Sequence, residues 1–102
     1  MSQKESINPA YKQMILDAMH YHFPNAKVYL FGSRARKTHK EGADVDIAVD
    51  DDGKKITIHE IIRARTTLDN LNIPLEVDLV DLHAIPEELK KTIIEEGELW
   101  RD

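Results

Sequence analysis

The sequence predicts a small α/β (α+β) domain with its helices and strands interleaved along the chain. Apolar residues recur at helical spacing in three stretches and alternate or run together in three shorter ones, with Pro, Gly and Asn standing at the joints. The 102 residues leave room for one modest hydrophobic core, so residues 1–102 are expected to form a single domain.

Asn8-Pro9 has the form of a helix cap followed by proline at the first helical position, and Tyr11, Met14, Ile15, Ala18, Met19 and His22 continue at helical spacing. This helix should stop near Phe23-Pro24. From Ala26 to Phe31, Val28 and Leu30 alternate with Lys27 and Tyr29, which predicts a strand ending at Gly32-Ser33. The polar stretch Arg34 to Gly42 is a loop or a short helix. Asp44 to Val49 alternates acidic and apolar residues and predicts a second strand, closed by an Asp50-Asp51-Asp52-Gly53 turn. Thr57 can cap a helix with Ile58, Ile61, Ile62, Leu68 and Leu71 on one face, and Pro74 lies beyond its end. Leu75 to Leu82 suits a third strand, and Pro86 opens a last helix running through Leu89, Ile93 and Ile94 to Gly97. The expected order is αβ(α)βαβα.

Composition narrows the function. Hydrophobic residues are 41% of the chain and aromatics 6%, so Ile, Leu and Val must supply most of the core. Fourteen Lys and Arg against nineteen Asp and Glu give a net charge of -5, which argues against direct nucleic-acid binding through net charge. With no cysteine, disulfides, thiolate metal sites and cysteine nucleophiles are all excluded. The chain shows no apolar leader and no run near the roughly 20 apolar residues that cross a bilayer, so a cytoplasmic protein without membrane contact is expected.

The acidic strand carries the chemistry. Side chains two residues apart in a strand point to one face about 7 Å apart, so Asp44 and Asp46 should project together while Val45 and Ile47 enter the core. Alone, Asp-Val-Asp describes any amphipathic strand. Two carboxylates this close repel, however, and a cation between them relieves the repulsion. Mg²⁺ suits them, since it takes hard oxygen ligands and leaves positions for water and substrate phosphates. Val77-Asp78-Leu79 offers a third acid on another strand; if the strands are neighbours, all three converge.

Gly32-Ser33 stands directly after the first strand and directly before Arg34-Ala35-Arg36. Glycine lets the backbone approach an anion closely, Ser33 adds a hydroxyl, and the Arg34 and Arg36 guanidinium groups suit bidentate contact with phosphate. In isolation, the arginines are solvated loop residues.

Together these residues carry a resemblance. Gly32-Ser33, ten intervening residues, Asp44-Val45-Asp46 and a later Asp78 resemble the polymerase-β-like nucleotidyltransferases over nearly the whole chain. Phe31 to Arg36 with Ala43 to Ile47, in so short a chain, resembles the MNT proteins, the minimal nucleotidyltransferases that pair with HEPN proteins in toxin-antitoxin systems. The resemblance implies a mixed sheet backed by helices, Gly32 and Ser33 holding nucleotide phosphates, Asp44 and Asp46 binding metal, Asp78 completing the site, and ATP as donor. Ala43 departs from the small polar residue of many relatives.

The chemistry so implied is in-line attack of an acceptor hydroxyl on the α-phosphate with loss of pyrophosphate, assisted by two Mg²⁺ ions. An aspartate is by type a weak base, so activation should come from the metal, and Asp78 ranks as a metal ligand before a proton acceptor. The expected acceptor is a hydroxyl, a tyrosine of a HEPN-type toxin, silenced by AMPylation. Two alternatives stand beside it: an antitoxin that neutralises by binding alone, and transfer to a small-molecule hydroxyl, for which 102 residues leave little room to shape a pocket. His20, His22, His39, His59 and His83 show no paired metal spacing, Asp50 to Asp52 reads as a solvated turn, and Asp81 is ambiguous.

Overall fold

The structure is a computed structural model and describes residues 5–101. Asn8 caps the first helix by accepting a hydrogen bond from the Ala10 amide at 2.8 Å, and Pro9 opens α1 (Pro9–His22). Phe23 ends it, its backbone N–H donating a hydrogen bond to the Met19 carbonyl. β1 (Lys27–Phe31) leads through Gly32 into the single-turn helix α2 (Ser33–Arg36), which Lys37 closes in the left-handed conformation. β2 (Val45–Asp50) then runs to a tight turn at Asp51–Lys54. Thr57 caps α3 (Ile58–Asp69) by accepting from the Glu60 amide at 3.2 Å, while its own hydroxyl donates to the Glu60 carboxylate. β3 (Val77–Asp81), α4 (Glu87–Glu96) and β4 (Glu98–Arg101) complete the chain.

The four strands form one mixed sheet in the order β3-β2-β1-β4. β1 pairs antiparallel with both β2 and β4, whereas β2 and β3 are parallel. That parallel pair follows from connectivity, because α3 carries the chain back along the sheet before β3 begins. Alternation divides the sheet residues between two faces. Val28, Leu30, Val45, Ile47, Val49 and Leu79 enter the larger core with α1 and α3, while Ala48 on the opposite face packs with Leu82 and with Ile93 of α4.

Several expected boundaries shift. The second strand starts at Val45, leaving Asp44 just outside it, and the third is trimmed to Val77–Asp81. β4 went unforeseen: it is four residues long and mixes two charged residues with two apolar ones, so it presents no clean alternation to read. Ile58 and Ile62 were expected to face inward, but they are 63% and 52% exposed. The core takes only the narrower stripe of Ile61, Ala64 and Leu68. Among the described residues, no helix is long and apolar enough to cross a membrane.

Candidate functional site

Parallel pairing sets Asp46 of β2 directly beside Asp78 of β3. Neighbouring strands lie about 4.8 Å apart, so two carboxylates on one face are held as a side-by-side pair. Val45, Ile47, Val77 and Leu79 are buried on the other side and pin this orientation, since a one-residue slip would drive the acids into the core. Asp44 precedes the strand on the chain segment leading to Asp46, and its side chain is exposed.

The electrostatics record the convergence. Burial raises the Asp46 carboxyl above its ordinary value, the charges of Asp78 and then Asp44 raise it further, and Arg36 pulls it back. All three acids and Arg36 therefore act on one place. The acids are not closed around a single point: among the described residues, no three His, Asp or Glu side chains form a ready-made metal cage. Mg²⁺ needs no such cage when water and phosphate oxygens fill its shell. The donor set of carboxylate oxygens fits that ion.

Gly32 closes the other side. It caps α2 with φ 77°, and a Cβ there would lie 2.5 Å from Oδ2 of Asp46. Its backbone thus runs against the Asp46 side chain. Ser33 follows at the first position of α2, and Arg36 is exposed at the end of that turn.

Arg34 does something else. It is only 6% exposed, and its guanidinium donates through Nε and Nη2 to the Ala43 carbonyl at 3.0 and 2.8 Å and through Nη1 to the Ser6 carbonyl at 3.0 Å. These bonds tie α2 to the segment that carries Asp44. Position 43 matters through its carbonyl, which any residue would supply. Gly32, Arg36, Asp44, Asp46 and Asp78 are brought together, Ser33 follows Gly32 in the chain, and Arg34 braces the loops behind them.

The other polar residues sort themselves. Asp81 is buried and accepts from the Ile56 amide at 2.8 Å and the His83 amide at 3.0 Å, so it organises two loops. His39 is buried, and His22 bonds Thr67 at 2.7 Å. His83 had no signal in sequence; its Nε2 lies 2.6 Å from Oδ1 of Asp50, while Lys90 Nζ lies 3.1 Å from Nδ1. Burial acts to raise the Asp50 carboxyl, but the Gly53 amide, His83 and Lys27 outweigh it and hold the group below its ordinary value.

Solved structures share this fold. No curated protein matches the chain in sequence. A solved toxin-antitoxin complex with AMP-PNP is 25% identical, with a TM-score of 0.74 over 89% of this chain and 73% of that one. A complex of tri-AMPylated HEPN toxin with MNT antitoxin from Shewanella oneidensis is 23% identical, with a TM-score of 0.68 over 91% of this chain and 71% of that one. A protein from Sulfolobus solfataricus described as a nucleotidyltransferase is 21% identical, with a TM-score of 0.57 over 98% and 90% of the two chains. Residues 14–100 match the family profile of polymerase beta nucleotidyltransferases, from the middle of α1 to β4 and across every acid discussed above. The chain belongs to the polymerase beta nucleotidyltransferase family.

Proposed function

We propose that this protein moves AMP from ATP to a protein hydroxyl, a tyrosine of a HEPN-type toxin, and thereby acts as the antitoxin of that partner. The observation that carries the chemistry is the Asp46–Asp78 pair in register on neighbouring parallel strands, with the backbone of Gly32 against Asp46. Asp44, Asp46 and Asp78 would hold Mg²⁺, which supplies positive charge against the phosphates and acidifies the acceptor hydroxyl. Gly32 and Ser33 approach the donor phosphates, and Arg36 offsets their charge.

In this reading the acceptor oxygen forms a bond to the α-phosphorus as the bond to the bridging oxygen breaks, and pyrophosphate leaves with that electron pair. The hydroxyl proton passes to solvent or to Asp78, which lies on the edge strand and is exposed. The partner assignment draws on two relatives, a toxin-antitoxin complex with AMP-PNP and a tri-AMPylated HEPN toxin bound to an MNT antitoxin. An added AMP brings negative charge and bulk to the partner, both of which oppose RNA binding.

Co-expression with the cognate partner, followed by intact mass, is the test. The partner should gain the mass of one AMP or several, and Asp44→Asn should abolish the gain. A partner of unchanged mass, equally neutralised by wild type and Asp44→Asn, would make this chain an antitoxin that works by binding alone.

A further inference from the structure

We infer that the groove between α2 and α4 is the subsite for the adenine ring, and that Glu96 accepts a hydrogen bond from its 6-amino group. The inference rests on the nucleotidyl-transfer reading above and deepens it. Phe31 is the residue opposite Asp46 across the β1–β2 pair, on the same sheet face. Its ring side forms one wall of a cavity of about 230 Å³ that Gly32 and Arg36 also line. Phosphates lying along Gly32 and Arg36 would place the rest of the nucleotide at the mouth of this cavity.

Size and lining select what enters. Sites for whole drug-sized ligands run to roughly 300–1,000 Å³, so this groove has room for one ring system rather than a complete nucleotide. Leu89 and Ile93 of α4 face Phe31 and Ala35, giving aromatic and aliphatic walls suited to a flat heterocycle. Gly97 seals the floor, where a side chain would strike the carbonyls of Ile93 and Leu30.

The polar lining on the α4 side offers acceptors. Thr92 donates its hydroxyl to the Glu88 carbonyl at 3.1 Å, which leaves only lone pairs for a ligand. Glu96 is acceptor-only when ionised, and among the described residues its carboxylate has no hydrogen bond or ion pair. Its place is costly for the helix: Glu95 and Glu96 lie in the last turn of α4, where the macrodipole opposes negative charge and no basic residue compensates. An amino group on the ring meets these acceptors, whereas a 6-oxo group would set oxygen against oxygen.

The test compares ATP with purine riboside triphosphate, which lacks only the 6-amino group, by calorimetry in magnesium. Wild type should bind ATP roughly tenfold more tightly, the worth of one hydrogen bond to a charged acceptor. Glu96→Ala should erase the difference by weakening ATP alone, Glu96→Gln should keep part of it through its carbonyl, and Leu89→Trp should weaken both ligands. Equal binding of the two by wild type, or a difference that survives Glu96→Ala, overturns the assignment. Failure of the underlying reading looks different: the co-expressed partner would keep its mass with wild type as with Asp44→Asn, whatever the base preference.

Discussion

Gly32 and Asp46 meet so closely that a Cβ on residue 32 would lie 2.5 Å from Oδ2 of the aspartate. The contact joins the loop proposed to hold phosphate to the acid proposed to hold metal. Residue 32 also sits at φ 77°, a region that side chains rarely adopt.

Gly32→Ala should therefore lose stability and function together. Backbone strain of about 1–3 kcal/mol adds to the clash, and Asp46 must turn away to relieve it. Thermal melting should show a lower Tm, and calorimetry should show nucleotide binding lost. A variant with wild-type melting and wild-type ATP affinity would remove Gly32 from the site.

The two arginines should separate cleanly. Arg34→Ala leaves the Ala43 and Ser6 carbonyls without their donor, a loss of about 2–3 kcal/mol that lowers Tm on the order of 10 °C. Arg36→Ala should melt like wild type yet bind ATP more weakly, because its exposed guanidinium has charge to offer and no buried bonds to break. The opposite pattern, with Arg36 needed for melting temperature and Arg34 for nucleotide, would reverse the roles assigned here.

Acid dependence should carry opposite signs at Asp46 and Asp50. The Asp46 carboxyl is held above its ordinary value of 3.8, so the folded chain keeps a proton that the unfolded chain has released. Stability then falls as pH rises from 3.8 to the raised value. Asp46→Asn should match wild type below this window and exceed it above, in metal-free buffer, while transferring no AMP. Asp50 is held below 3.8, so its contribution is present above that value and fades as pH falls through the lowered one. Asp50→Asn should be the less stable protein near neutrality and converge with wild type in acid. Denaturant titrations across pH read both effects, and matching signs at the two positions would contradict this electrostatic account.

The acidic face was readable because strand alternation is a local rule: Asp46 and Asp78 each stand between buried apolar neighbours, and the sequence shows those neighbours. Their register was not readable, since nothing local says that residue 46 pairs with residue 78. Arg34 shows the same limit. Its sequence neighbours Ser33 and Arg36 suggest phosphate, while its actual partners, Ser6 and Ala43, are brought to it by the fold. The link from His83 to Asp50 spans 33 residues and was silent for the same reason. Ile58 and Ile62 mark a different failure, because helical periodicity defines a stripe but not how much of it the core will cover.

The parallel pairing of β2 with β3 also sets an order of assembly. Gly32 and Asp46 come together through the antiparallel β1–β2 pair, a closure of short loop length available early to a folding chain. Asp78 joins only after α3 has crossed back over the sheet, and parallel pairing with its longer crossover is intrinsically slower. A chain still emerging from the ribosome can therefore hold part of its acidic face before Asp78 pairs with Asp46. The Asp46–Asp78 pair forms only once the residues of β3 have been made.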